Sequence, residues 1–162
     1  MKRWQILLWV FALGLLVGAM GAGCSRKRQE VKRSFESLMH VRDIRRACLK
    51  YAEGHEWRIP KSLEEVTPYL GGGRVPESPR KPADYDGPSY IYVKALGGRD
   101  MGELESTFDK YVIVYENPFF CGDDISVGFL AGRVEKMTSA AFRQALEDTY
   151  KKLGVPMPEG GS

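Results

Sequence analysis

The chain has 162 residues, a formal net charge of +3, and 43% hydrophobic and 28% charged side chains. That length suits one domain with a real core. Near balance between 24 basic and 21 acidic residues leaves no broad electrostatic footprint for nucleic acid, so none is expected as a partner.

The first two dozen residues read as an export and tethering element. Lys2 and Arg3 form a short positive region, and no charge occurs from Ile6 to Ala22. Gly21-Ala22-Gly23-Cys24 follows, then the basic Arg26, Lys27 and Arg28. Small residues before a cysteine let a signal peptidase approach the backbone, and the thiol becomes a lipid attachment point. The segment therefore resembles a bacterial lipobox with Cys24 as the lipidation residue, although Gly21 stands where a branched apolar residue is usual. An uncleaved anchor is the competing reading, because about 17 apolar residues lie at the lower limit for a membrane span. Arg26, Lys27, Arg28, Lys32 and Arg33 put more positive charge after the run than before it. An uncleaved helix would then hold the following domain on the cytoplasmic side. Cleavage at Cys24 removes that conflict, takes Lys2 and Arg3 away, and leaves a nearly neutral mature chain. One acyl chain binds a membrane only reversibly, with K on the order of 10⁴ M⁻¹, so stable tethering requires more than one. The basic cluster is expected to favour anionic headgroups.

Residues 1–23 are thus expected to be a signal peptide or anchor, 24–34 a charged tether, 35–154 a folded domain and 155–162 a disordered tail. A helix is predicted from about 31 to 53. Its apolar face is Leu38, Val41, Ile44, Cys48 and Tyr51, and Gly54 ends it. Ser62-Leu63-Glu64-Glu65 matches a capping box and predicts a short helix through Leu70. Residues 71–88 hold four Gly and four Pro and read as a long irregular connection. Four strands follow: 90–93, 111–115, 125–130 and 133–137, the last two joined by a tight turn at Ala131-Gly132. The stretch 96–109 between the first two reads as a polar loop. Thr138 or Ser139 caps a final helix whose apolar face is Phe142, Ala145, Leu146, Thr149 and Leu153. Gly154 closes it. The expected fold is α+β, with a long N-terminal helix packed on a four-stranded antiparallel sheet and the C-terminal helix beside it.

Three stretches resemble type IV pilin-like proteins, in particular the major pseudopilin of type II secretion. The first is the helix Ile44 to Tyr51 with Trp57-Arg58-Ile59-Pro60 and Ser62 to Leu70. The second is Gly87-Pro88-Ser89-Tyr90-Ile91-Tyr92-Val93. The third is Val127 to Glu135, similar to the family's hairpin. The resemblance covers roughly residues 40–150 and implies a pilin-like domain. Assembling pilins also carry a glutamate inside the apolar N-terminal helix. This chain has none, and Ala131 and Arg133 replace the family's hairpin Asp and His. No clear match to the pseudopilin's calcium loop is present.

The chemistry-bearing residues are few. Cys48 and Cys121 are a candidate disulfide pair if Cys24 is acylated. Closing a loop of roughly 70 residues would contribute about 4 kcal/mol. The alternative is that Cys48 is an ordinary core thiol. Glu116, Asp123 and Asp124 are weak candidates for a hard cation, which needs several converging oxygens. A solvated acidic loop is the simpler expectation, and no metal or cofactor is expected. His40 and His55 read as solvated or locally hydrogen-bonded. Tyr85, Tyr90, Tyr92, Trp57 and Tyr69 are candidates for an aromatic ligand face. Trp57 is expected to pack under the short helix. No nucleophile motif, Walker A or dinucleotide fingerprint occurs. The expectation is a non-catalytic, membrane-tethered envelope protein facing the periplasm or exterior, acting through an envelope protein partner or as scaffold. The alternatives are an accessory pseudopilin and a periplasmic ligand-binding module.

Overall fold

A computed structural model describes residues 3–104 and 109–158, and for residues 3–24 the backbone alone. The side chain of Cys24 and the apolar run before it therefore lie outside the described residues. Among the described residues no helix is long and apolar enough to cross a membrane. The chain divides into two compact units, Met1–Arg33 and Ser34–Ser162.

Helix α1 runs Arg3–Glu53, so the stretch 24–34, expected to be a charged tether leading into a helix from about 31, is itself helical. Glu, Lys and Arg lose little side-chain freedom in a helix, and neither Gly nor Pro interrupts 25–53. In the second unit, Val41, Ile44, Ala47, Cys48 and Ala52 of α1 are almost wholly buried. Val41, Ile44 and Cys48 belong to the predicted stripe; Ala47 and Ala52 join it, while the expected Leu38 and Tyr51 are only partly buried.

The helix does not stop on a left-handed glycine. Glu56 (φ 54°) and Trp57 (φ 60°) take the left-handed conformation instead, and Trp57 N–H reaches back to Ala52 O at 2.8 Å. Trp57 is then 55% exposed, which overturns its expected place under the following helix. Its backbone is committed elsewhere, since Met101 N–H bonds to Trp57 O at 2.9 Å and Arg58 bridges to Asp100.

The predicted capping-box helix is a 3₁₀ helix, Glu64–Tyr69, whose N-cap is Leu63 with no side-chain cap. Pro68 is the reason. It has no N–H to give to residue 64, and its ring would clash with that carbonyl in an α-helix. Glu65 accepts from Lys61 N–H at 2.7 Å instead of serving a box with Ser62.

The remaining elements are β1 Tyr90–Tyr92, helix α2 Met101–Leu104, β2 Val112–Glu116, β3 Ile125–Phe129, β4 Val134–Met137 and α3 Ser139–Leu153. Among the described residues the strands form one antiparallel sheet in the order β1-β2-β3-β4. The predicted strands are present, with small differences at their ends. The expected polar loop 96–109 contains α2, which buries Met101 and Leu104.

Every residue of β2 and β3 is buried, as both faces of the sheet are covered. A Cβ on Gly128 would lie 3.0 Å from Val41 of α1 and 3.2 Å from Val114, its cross-strand partner. Tyr115, the next residue and so on the opposite face, packs against Phe142 of α3 with ring centroids 4.7 Å apart. Helix α3 therefore lies across the sheet from α1 and not beside it. Thr138 caps α3 by accepting from Ala141 N–H, and Gly154 closes it in the left-handed conformation, as the sequence predicts. The tail differs from expectation, since Val155 and Met157 pack against the core.

Candidate functional site

The most polar part of the interior lies where α1, the irregular segment 71–88 and the end of β2 meet. Glu116 closes β2 on the face that α1 covers and is 0% exposed. Arg80 comes from the middle of the irregular segment. Its Nε donates to Glu116 Oε1 at 3.1 Å and its Nη2 to Glu116 Oε2, making a two-pronged pair. The same guanidinium donates to Asp124 Oδ2 at 3.2 Å and to Asp124 O at 2.6 Å. Ser78 and Ser37 each donate to Glu116 Oε1, Ser78 at 2.6 Å. Ser34 donates to Asp124 Oδ2, and Lys136 of β4 lies 3.3 Å from the same oxygen. One arginine thus ties a Pro- and Gly-rich loop to the sheet, and two serines of α1 tie the helix to the same carboxylates.

Burial pushes the Glu116 carboxyl upward, but hydrogen bonds from Arg80, Ser37 and Ser78 outweigh it and hold the group below the usual range. Asp124 is lowered too. The burial penalty is overcome by Ser34, Lys136 and Arg80. Arg80 is raised, because its bonds to Glu116 exceed the cost of its burial. Both carboxylates are ionised at neutral pH and already surrounded by donors.

This placement decides the acidic candidates. Glu116 and Asp124 have Arg80 and Lys136 where a hard cation would need open oxygens. Asp123 accepts from Ser139 N–H at 3.2 Å and serves the start of α3. Among the described residues no three His, Cys, Asp or Glu side chains are placed to hold a metal ion.

Cys48 and Cys121 are both buried free thiols. Burial pushes Cys48 up to about 12. Burial, then the neighbouring Glu116, also raises Cys121, whose sulfur donates to Asn117 O at 3.0 Å.

The histidines differ. His55 is exposed, bonds locally to Tyr51 O at 2.7 Å and stacks on the Tyr51 ring at 3.8 Å. His40 is not merely local, as its Nδ1 lies 2.9 Å from Tyr90 Oη, which in turn lies 3.1 Å from Ser37 Oγ. His40 also lines an open groove of about 560 Å³ between α1 and the loop after the 3₁₀ helix, with Asp43, Leu70, Arg74, Val75 and Glu77.

The aromatic candidates do not form one face. Tyr90 and Tyr92 are buried, and Tyr92 donates to Pro60 O. Tyr85 is half-buried and stacks on Phe119 with centroids 4.7 Å apart. Phe119, which sequence reasoning passed over, is 72% exposed. Its signal was present in Asn117-Pro118, an Asx-type start with proline at the first helical position. Asn117 Oδ1 accepts from Phe119 N–H at 3.0 Å, and Asn117 Nδ2 donates to Tyr85 Oη at 2.8 Å. One asparagine therefore holds both rings of the stack. Arg80, Ser37 and Ser78 were also passed over, because residues of these types in a loop or on a charged helix give no periodic signal.

No protein-family model, curated protein or solved structure matches the chain.

Proposed function

We propose that this chain is a non-catalytic, membrane-tethered envelope protein whose pilin-like domain acts by contacting another protein. The observation that carries this reading is Phe119, a large apolar side chain held out in solvent on a prearranged support of Tyr85 and Asn117. Rigid aromatics presented this way supply contact area at little entropic cost and are enriched among residues that dominate interfaces. The ionic centre behind it acts as a clasp. Its role is to fix the loop that carries Tyr85.

Tethering rests on Gly21-Ala22-Gly23-Cys24 and the basic residues after it. Mass spectrometry of the mature N-terminus tests that part. An acylated Cys24 supports it, whereas a chain retaining Met1 would mean an uncleaved anchor and favour the accessory-pseudopilin alternative. The contact is tested by placing a photo-cross-linking residue at position 119 in cells. A specific adduct lost in Tyr85→Ala supports the reading, and the absence of any adduct counts against it.

The groove beside His40 favours a second reading, a ligand-binding module. A thermal-shift screen of the full chain with glycans and calcium checks it, and no shift with any of them removes it.

A further inference from the structure

Arg45 lies on the buried side of α1 and is only 8% exposed. Its Nε is shielded from solvent and has no hydrogen-bond partner among the described residues. No carboxylate there pairs with it either. The contrast is Arg80, whose side chain is 4% exposed and meets two carboxylates. One turn before Arg45, Arg42 has its Nε buried without a hydrogen bond, and its nearest acid is Asp43 at 3.6 Å. Arg46 follows directly, is exposed, and lies close enough to act electrostatically on Arg45.

The tip of Arg45 reaches the β3–β4 turn. Its Nη1 lies 3.5 Å from where a Cβ would stand on Gly132, whose φ of +119° is open to glycine and strained for other residues. Glycine therefore keeps a side chain of the turn from standing against the guanidinium tip.

A buried cation without a counter-charge works against folding. A guanidinium whose stem is fixed by packing is also well prepared for a carboxylate, which it meets with two parallel hydrogen bonds. We propose that Arg45, flanked by Arg42 and Arg46, receives a carboxylate side chain presented by a partner protein. The inference rests on the reading of the domain as an interaction module and names the chemistry of one contact. One fork set between α1 and the β3–β4 turn suits a single carboxylate better than the spread charge of a headgroup layer.

The test uses the full chain in neutral detergent and a hexaglutamate peptide as probe, followed by calorimetry. Arg45→Met keeps most of the stem and removes the charge. It is expected to weaken peptide binding about tenfold or more, the usual scale for a lost charged hydrogen bond, while the thermal midpoint stays level or rises. Equal binding by Arg45→Met and the parent would overturn the proposal. So would Arg45-dependent binding of inorganic phosphate or phosphatidylglycerol vesicles in preference to the peptide. The Nε–Hε NMR resonance of Arg45 in the parent gives a readout free of any variant's folding, and an unchanged resonance at peptide saturation also overturns it. Cross-linkers at positions 42 and 119 separate the two readings. Adducts at 119 with none at 42 remove the carboxylate site alone, and none at either removes both.

Discussion

Arg80 and Glu116, separated by 36 positions in the chain, form a two-pronged ion pair in which the arginine side chain is 4% and the glutamate 0% exposed. Replacing Arg80 with Met leaves a carboxylate buried without its cation. The expected loss is about 3–5 kcal/mol of unfolding free energy, read from urea titrations. The double variant Arg80→Met with Glu116→Leu removes both charges and is expected to recover much of that loss. If Arg80→Met alone costs less than about 1 kcal/mol, the range of an exposed pair, the clasp is not a buried pair in solution.

The same pair sets an acid limit. The folded-state value of Glu116 is depressed, so its contribution is fully present above the unfolded glutamate value of about 4.3 and is lost as pH falls through the folded value beneath it. Asp124 adds to the same trend more weakly, being partly exposed. Unfolding free energy is expected to decline steadily below about pH 4.3, and Glu116→Gln is expected to flatten that decline. An unchanged slope in Glu116→Gln would assign the acid sensitivity to other groups.

What the sequence discloses about this fold follows the range of the interactions. Val112 to Tyr115 are all β-branched or aromatic, and Ile125, Val127 and Phe129 alternate with the smaller Ser126 and Gly128, so local preference and burial largely agree. Thr138 and Gly154 mark α3 because caps are local chemistry. The clasp is different. Ser37, Ser78 and Arg80 are ordinary surface-type residues until the fold brings Glu116 to them from β2. Trp57 departs from its expected place for a related reason. Its outward position follows from two left-handed residues, and the sequence marks neither with Gly or Asn. Pro68 is legible in the sequence, and its effect on the helix outweighs the capping-box match.

Glu56 offers a direct check on that helix end. A non-glycine residue in the left-handed conformation carries a cost of roughly 1–2 kcal/mol, partly balanced by glycine's greater unfolded-state entropy. Glu56 is exposed with φ 54°, so little packing is lost on its replacement. Glu56→Gly is expected to stabilise the domain by about 0.5 kcal/mol, whereas Glu56→Ala is expected to leave it unchanged. Destabilisation by glycine would show that the turn is not left-handed at this position.

The thiols give a test of compactness and of pairing together. Burial raises both Cys48 and Cys121, so neither carries appreciable thiolate near pH 8. Iodoacetamide is expected to leave both unmodified in the folded chain and to label both after urea unfolding without reductant, as mapped by peptide mass spectrometry. Protection that persists in urea until a reductant is added would mean a disulfide between them.

Gly128 lies against Val41 of α1, and it makes the packing of those two layers measurable. The backbone there has no special conformation, so any penalty for a side chain is steric. A methyl group would stand 3.0 Å from Val41 Cγ1 and 3.2 Å from Val114 Cγ1, closer than relaxed carbon contacts of about 3.5–4.0 Å. Gly128→Ala is therefore expected to cost about 1–3 kcal/mol through overpacking. Val41→Ala alone opens a small cavity and is also expected to destabilise. In combination the new methyl enters space that Val41 vacates, so the double variant is expected to be more stable than the sum of the two single losses predicts. A coupling of at least 0.5 kcal/mol in that cycle is the scale typical of residues in direct contact. Strict additivity would mean that α1 does not cross β3 at this point, and the placement of α3 on the opposite face would lose its reference.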